Sequence, residues 1–473
     1  MRRIFLFVVL AMAAVGVGGC SNKNSDDPTP PAATTPAASA SPASSATTPA
    51  SPATSPPSTA TAGQPAPSGV KSGKLGVPSG LLYTSAAPAF DALAGAKEST
   101  GQLGNAVYRI EMPDSWNGEL VMYAHGYRGE SLQLTVSSPP RVLRELFIKQ
   151  GYAWAASSYE ENGYAPGTAA DNTLALKKLF ETQFGKAKRT YIYGESMGGN
   201  VVALSLEHFP AEYDGALAVC GALGGQTEID YLAGWSLLAE YITGVKVPIG
   251  ESIATVNATT LLQLSSALGS TEAPTEKGKQ FISAIRLLTG GARPFFFEGF
   301  QAQYVANFAY LLVDPMRKLP VTRAATNSDL VYAIGPGLGL TSAQLNAGVR
   351  RLAADPAYRN ATTYPDRVPT TAKITKPLLT LHDTGDLFVP ITHEVEYLAK
   401  AMAAGTSNLL VQRAIREAGH CRFSEAEQTA AWNDLVAWVR DAKKPAGDDF
   451  SGDLSDIGKQ FTNPLRAGDP GGR

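Results

Sequence analysis

The stretch Thr190-Tyr191-Ile192-Tyr193-Gly194-Glu195-Ser196-Met197-Gly198-Gly199-Asn200 decides the fold of this chain. Its first residues, Thr190–Tyr193, are β-branched or aromatic and predict a buried strand. The run that follows, Val201–Glu207, has a helical pattern, so a Gly-x-Ser-x-Gly pentapeptide lies between a strand and a helix. The pentapeptide alone is weak evidence, because the chain contains 46 glycines in 473 residues. With its flanks it predicts a tight turn that exposes the Ser196 hydroxyl beyond the end of a strand.

Apolar and β-branched runs alternate with helical patterns on both sides of this turn. The predicted strands are Ala106–Ile110, Glu119–Ala124, Tyr152–Ser158, Thr190–Tyr193, Ala216–Cys220, Pro377–His382 and Leu409–Arg413. The predicted helices are Pro140–Gln150, Ala169–Phe184, Val201–Glu207 and Ser424–Asp441. This alternation is typical of an α/β fold with a mostly parallel central sheet and flanking helices. Functional groups in such sheets collect at the carboxyl ends of the strands.

The alternation stops between Cys220 and Pro377, where the sequence is mainly helical. A loop of that length without structure of its own is uncommon in a compact domain. We therefore predict a helical cap at 225–372, inserted into an α/β core formed by 70–224 and 373–444. Within the cap, Phe300, Tyr304 and Phe308 recur every four residues, so they line an acyl or aryl pocket or form the core of the cap itself. The Gly- and Asp-rich tail, 445–473, is predicted to cover the surface without regular structure.

The first 69 residues read as a targeting and tethering region. Residues 1–19 contain two arginines, an apolar run and then small residues, which predicts a signal peptide. Val17-Gly18-Gly19-Cys20 resembles a bacterial lipobox, whose cysteine is lipidated; the alternative is an ordinary signal peptide that contains a cysteine. Residues 20–69 are mostly Pro, Ala, Ser and Thr and predict a disordered tether. These features predict an extracytoplasmic protein that is lipid-anchored through Cys20 to the membrane of a bacterial cell envelope.

The composition excludes several classes of protein. Lys and Arg total 40 against 42 Asp and Glu, so the net charge of −2 argues against a nucleic-acid partner. Three cysteines and five histidines are too few for a dense disulfide scaffold or an array of zinc sites. Since no metal-ligand spacing or phosphate-binding Walker sequence is present, we predict no metal and no cofactor. The sequence does not determine the oligomeric state.

A serine hydroxyl is a weak nucleophile and needs a base, which is itself oriented by an acid. Asp386 lies just beyond the predicted strand Pro377–His382, and His420 follows the last predicted strand. The three residues therefore occur in the chain order Ser, Asp, His. Asp383, in the same stretch as Asp386, is the rival acid. The remaining histidines, His125, His208, His382 and His393, are predicted to pack or to form local hydrogen bonds.

With these residues in this order, the chain resembles the α/β-hydrolases, and among them the secreted esterases and lipases with a helical cap. The resemblance extends over essentially all of 106–444 and implies that Ser196 is the nucleophile, His420 the base and Asp386 the acid. The sequence His125-Gly126-Tyr127 resembles the oxyanion loop of the family. By that resemblance, the backbone N–H groups of Tyr127 and Met197 form the oxyanion hole.

Cys220 and Cys421 are both predicted at the rim of the site, since Cys220 ends the strand before the cap and Cys421 follows His420 directly. Thiols outside the cytoplasm tend to be oxidised. If Cys20 is lipidated, each of these two cysteines has only the other left as a disulfide partner. We predict a Cys220–Cys421 disulfide; the alternative is two buried thiols.

The sequence thus predicts a serine hydrolase that cleaves a small-molecule or polymeric carboxylic ester through an acyl-enzyme intermediate. An amidase or peptidase with the same three residues is the first alternative, because the turn at Ser196 does not distinguish esters from amides. A non-catalytic cell-surface binding protein on a hydrolase scaffold is the second, because a fold does not by itself imply a function.

Overall fold

The structure is a computed structural model that describes residues 80–464, apart from 81, 87, 89, 130, 248, 250–252, 313–323 and 360–367. The predicted signal peptide, the lipidation site Cys20 and the tether lie outside the described residues. The side chains of 253–258, 305, 306 and 308–312 are not described either, and they include that of Phe308.

Within the described residues, eight strands form one sheet. They are β1 (Ala96–Leu103), β2 (Ala106–Pro113), β3 (Glu119–Ala124), β4 (Ala153–Ser157), β5 (Arg189–Glu195), β6 (Gly215–Val219), β7 (Leu378–Asp383) and β8 (Leu410–Ile415). Their order across the sheet is β8-β7-β6-β5-β3-β4-β2-β1. Strands β3 to β8 pair in parallel, whereas β2 is antiparallel to both of its neighbours. The predicted α/β class with a mostly parallel sheet is confirmed.

Helices cover both faces of the sheet, which explains why its central strands are continuous apolar runs. The helices outside the predicted cap are α1 (Arg141–Lys149), α2 (Pro166–Phe184), α3 (Met197–His208), α10 (Thr392–Ala404) and α11 (Glu425–Asp441). Phe180 of α2, Val202 of α3 and Tyr397 of α10 are buried with Ile192 on one face. Helices α1 and α11 bury aromatic side chains, among them Trp432, on the other face.

The segment between β6 and β7, where the sequence predicts a helical cap, has a core of its own. Helices with described bounds in it are α4 (Thr227–Thr243), α5 (Ile253–Leu268), α6 (Glu276–Leu288), α7 (Phe296–Leu312), α8 (Ser342–Gly348) and α9 (Pro356–Arg359). Trp235, Phe281, Phe296, Phe300 and Tyr304 are buried in one cluster. The aromatic face of α7 thus packs inside the segment 225–372, which we call the cap segment from here on.

Two peripheral segments have features that the sequence pattern does not show. Strand β1 has no apolar alternation, because it is an edge strand whose side chains are mostly exposed. The described part of the C-terminal tail forms no helix or strand, as predicted, but Phe450 and Leu454 are buried against Ile391 and Ala414. None of the described helices is both long enough and apolar enough to cross a bilayer.

Candidate active site

Ser196 lies at a sharp turn between a strand and a helix. Strand β5 ends at Glu195, α3 begins at Met197, and Ser196 between them has φ 58° and ψ −122°. Positive φ is unfavourable for a residue with a Cβ and is typical of functional sites. A Cβ on Gly198 would lie 2.1 Å from Ala124 O, so only glycine lets α3 begin this close to β3. The turn lies where the strand order reverses, which is where ligands bind in α/β sheets.

The structure brings Ser196, His420 and Asp386 together. His420 Nε2 is 2.8 Å from Ser196 Oγ, and His420 Nδ1 is 2.6 Å from Asp386 Oδ2. A carboxylate only accepts hydrogen bonds, so the imidazole donates from Nδ1 and accepts the serine hydroxyl at Nε2. Asp386 is fully buried, whereas the His420 side chain keeps 18% of its surface exposed. The hydroxyl, the imidazole and the carboxylate form one continuous relay.

Asp386, and not the rival Asp383, is the carboxylate that contacts His420. The other oxygen of Asp386 accepts hydrogen bonds from the N–H groups of Phe388 and Val389, at 2.9 and 3.2 Å. Asp383 instead accepts the N–H of Arg422 at 2.8 Å. Burial raises the pKa of Asp383 well above its usual value.

The loop after β3 approaches the serine closely. A Cβ on Gly126 would lie 3.0 Å from both Glu195 O and Ser196 Cβ, so the loop passes directly over the turn. Tyr127, the predicted donor, is the next residue in this loop. Met197, the other predicted donor, is the first residue of α3, and N–H groups in the first turn of a helix have no intrahelical acceptor. Both predicted donors therefore lie on segments that border Ser196.

Cys220 and Cys421 are joined in a disulfide, as predicted. The bond links the end of β6 to the residue that follows His420. Among the described residues, the cluster with metal-ligand spacing consists of Cys220, His420 and Cys421. Since both sulfurs are used in the disulfide, neither is available as a thiolate ligand.

Two buried acids, Glu195 and Glu394, lie close to the site although the sequence pattern does not single them out. Glu195 accepts hydrogen bonds from Tyr123 OH at 3.0 Å and Tyr193 OH at 2.6 Å, and its burial raises its pKa. Glu394 lies 3.4 Å from His382 Nδ1. Glu195 occupies an unspecified position of the Gly-x-Ser-x-Gly motif, and no motif marks Glu394, so the sequence pattern assigns a role to neither acid.

The chain is similar to known proteins over part of its length. No family model matches the chain. The o-phthalyl amidase of Xanthobacter agilis is 27% identical over 163 residues, which are 33% of this chain and only 35% of that enzyme's length.

Two solved structures illustrate the structural likeness. Feruloyl esterase B from Aspergillus oryzae aligns with a TM-score of 0.45 and 13% identity, over 76% of this chain and 83% of that chain. The acylaminoacyl peptidase of Pyrococcus horikoshii aligns with a TM-score of 0.38 and 10% identity, over 76% of this chain and 44% of that chain.

The fold itself follows from the chain's own topology. A sheet of this strand order, with an antiparallel second strand and a serine raised on the turn between strand and helix after β5, defines one architecture. The chain therefore has the α/β-hydrolase fold.

Proposed function

We propose that the protein is a serine hydrolase that cleaves carboxylic esters. The observation that carries the proposal is the relay from Ser196 Oγ through His420 to Asp386, with contacts of 2.8 and 2.6 Å. A nucleophile within hydrogen-bond reach of a base, which is oriented by a third group, is the arrangement that activates a serine.

In the proposed reaction, Ser196 Oγ attacks the ester carbonyl while His420 Nε2 accepts its proton. Asp386 holds the imidazole in the required tautomer and stabilises the imidazolium that forms. His420 then gives the proton to the departing alcohol, which leaves the acyl group on Ser196. A water molecule, deprotonated by the same imidazole, hydrolyses the acyl-enzyme and restores the serine.

The negative charge that develops on the carbonyl oxygen needs donors that are already in place. We assign this role to the N–H groups of Met197 and Tyr127. Each donor in such a site contributes about 3–4 kcal/mol to the stability of the transition state. The close passage of the loop over Ser196, seen at Gly126, supports the assignment of Tyr127.

The substitution Ser196→Ala tests the proposal. We expect kcat for a p-nitrophenyl ester to fall by at least about a thousandfold, because no other group replaces the nucleophile. A fluorophosphonate probe should label the wild-type protein covalently and leave the variant unlabelled.

Ser205→Ala is the matched control, because Ser205 is a buried serine in helix α3, nine residues after Ser196. It should keep both the activity and the labelling. Ester hydrolysis by Ser196→Ala at the wild-type rate contradicts the assignment. A wild-type protein that folds but neither hydrolyses esters nor reacts with the probe supports the non-catalytic alternative instead.

An amidase is the second candidate function, favoured by the sequence match to an o-phthalyl amidase. The same relay cleaves amides, in which His420 protonates a departing amine instead of an alcohol. Kinetics on an ester and an anilide with the same acyl group separate the two candidates. A higher kcat/KM for the anilide identifies an amidase.

A further inference from the structure

The turn that carries Asp386, residues 384–387, which we call the acid turn, is held from two sides. On the core side, Thr384 N–H donates to Ile415 O at 2.8 Å and Gly385 N–H donates to Glu417 O at 2.9 Å. These bonds fix the turn to the last residue of β8 and to the segment that follows it. They leave the carbonyl groups of the turn to be satisfied by other partners, since buried backbone groups are rarely unpaired.

Side chains of the cap segment supply those partners. Arg293 Nε donates to Thr384 O at 2.6 Å, and Gln303 Nε2 donates to Gly385 O at 3.4 Å. Gln303 Oε1 also accepts the N–H of Leu387 at 2.7 Å.

Leu387 O is the third carbonyl group of the turn that side chains of the cap segment bind. It accepts from Asn307 Nδ2 at 2.6 Å and from Tyr231 OH at 2.7 Å. The two groups that bind Leu387 O come from different helices, α7 and α4. We call Tyr231, Arg293, Gln303 and Asn307 the acid-turn clasp.

All four clasp residues are buried, with 6%, 7%, 3% and 0% of their surfaces exposed, in the order given. A buried polar group is unfavourable unless it is hydrogen-bonded, so these contacts are needed to offset its loss of hydration. Burial lowers the pKa of Arg293 to about 10, which leaves the guanidinium charged at neutral pH. Its positive charge therefore stands beside the turn that bears the Asp386 carboxylate.

The sequence of α7 also shows polar residues on a buried helix face. Phe300, Gln303, Tyr304 and Asn307 follow the i, i+3, i+4, i+7 spacing of one buried helix face. Two of the four positions on this face are amides, where an apolar core would have hydrocarbon side chains. Both amides bind Leu387, the residue next to Asp386.

We infer that the acid-turn clasp positions Asp386, so that the cap segment maintains the contact between Asp386 and His420. The four clasp residues are positioning residues, because they act on the reaction through Asp386. The inference rests on the proposed function. The inference requires the cap segment to remain in place during turnover. A movement of α7 would break its bonds to Leu387 and release the Asp386 carboxylate.

The experiment compares two asparagines of the cap segment. Asn307 and Asn327 are both fully buried, and each uses its side-chain amide to bind a backbone carbonyl. Asn327 bonds only within the cap segment, to Tyr332 OH, Arg350 O and Leu352 N–H. Asn307→Leu and Asn327→Leu therefore remove similar hydrogen bonds, but only Asn307→Leu removes one to the acid turn.

We expect Asn307→Leu to lower kcat by about ten- to a hundredfold with KM within about twofold, because a small displacement of a reacting group has such effects. Asn327→Leu should lower the melting temperature but keep kcat near that of the wild type. Gln303→Met, which removes the other amide, should repeat the result of Asn307→Leu and replaces it if that variant does not fold.

Crystal structures of the wild type and the variants give a readout that is independent of activity. In Asn307→Leu, the distance from His420 Nδ1 to Asp386 should exceed hydrogen-bond length, and in Asn327→Leu it should not. Equal losses of kcat in the two variants, or an unchanged distance in Asn307→Leu, overturn the inference. A wild-type protein without hydrolase activity overturns the proposed function, while the distances still decide whether the clasp holds Asp386.

Discussion

His125 and His382 are two buried histidines whose surroundings shift their pKa values in opposite directions. His125 stacks on Tyr159 with ring centroids 3.9 Å apart, and its burial, with the nearby charge of Arg128, lowers its pKa to about 4. Burial also acts to lower the pKa of His382, but the negative charges of Glu394, 3.4 Å from its Nδ1, and of Asp386 outweigh burial and raise the pKa above its usual value. The first histidine is therefore neutral at pH 5–6, and the second is protonated there.

His125 should make the protein less stable in mild acid. Between pH 6.5 and pH 4 the unfolded chain takes up a proton at this residue and the folded chain does not. The free energy of unfolding should therefore fall by about 2 kcal/mol between pH 7.5 and pH 5 from this group alone, on linkage arithmetic. Urea denaturation of the wild type and of His125→Gln at the two pH values measures this change. The difference in the free energy of unfolding between the two proteins should be smaller at pH 5 than at pH 7.5.

His382→Gln is the control, because His382 should change the free energy of unfolding with pH in the opposite direction. A raised pKa stabilises the fold fully below the unfolded value near pH 6.5, and the contribution is lost as pH rises through the folded value. The difference between the wild type and His382→Gln should thus be larger at pH 5 than at pH 8. Differences that are independent of pH for both variants contradict these charge states.

The residues of the relay could be predicted because a local motif and a chain order specify them. Gly-x-Ser-x-Gly identifies Ser196, and the position after a strand identifies Asp386 and His420. The clasp could not be predicted in this way, because Asn307 and Leu387 are 80 residues apart and meet only through the packing of α7. The amides on the apolar face of α7 were the available signal.

Helix α7 approaches the acid turn more closely than a side chain allows. A Cβ on Gly299 would lie 1.8 Å from Gly385 O, so glycine is required where the helix meets the turn. Gly299→Ala should force the two apart and lower kcat by about a hundredfold, through displacement of Asp386. Steady-state kinetics with the ester substrate, together with the melting temperature, measure the effect.

Gly278→Ala controls for the strain itself. A Cβ on Gly278, in the first turn of α6, would lie 2.0 Å from Leu268 O, a backbone atom of α5. Both substitutions place a methyl group against a carbonyl, and overpacking of this kind destabilises a fold by about 1–3 kcal/mol. Of these two glycines, only Gly299 contacts the acid turn. Gly278→Ala should therefore be less stable than the wild type but have the same kcat. A similar loss of kcat in both variants shows that the effect is general destabilisation.

The elements that could be predicted are those with a strong pattern. Strand β3 has the predicted bounds, and α11 differs from its prediction by one residue. Strand β1 was missed because an exposed edge strand has no apolar period to detect. The lipid anchor at Cys20 stays a prediction, since it lies outside the described residues.

At the scale of the whole molecule, the Cys220–Cys421 disulfide connects the two parts of the core across the cap segment. The two cysteines are 201 residues apart in the sequence. Cys220 precedes the cap segment, and Cys421 follows the last strand of the sheet. The covalent link therefore fixes the segment of His420 to the end of β6 without passing through the cap.

Removal of this disulfide should lower the stability of the entire fold. A loop of about 200 residues corresponds to about 5 kcal/mol of unfolded-state entropy on the chain-entropy model. The double variant Cys220→Ala/Cys421→Ala should unfold at a lower urea concentration than the oxidised wild type. Reductant should bring the wild type to the same midpoint and leave the double variant unchanged, since it has no bond to break. A wild-type midpoint that stays constant while both thiols become titratable shows instead that packing around β6 holds the two parts together.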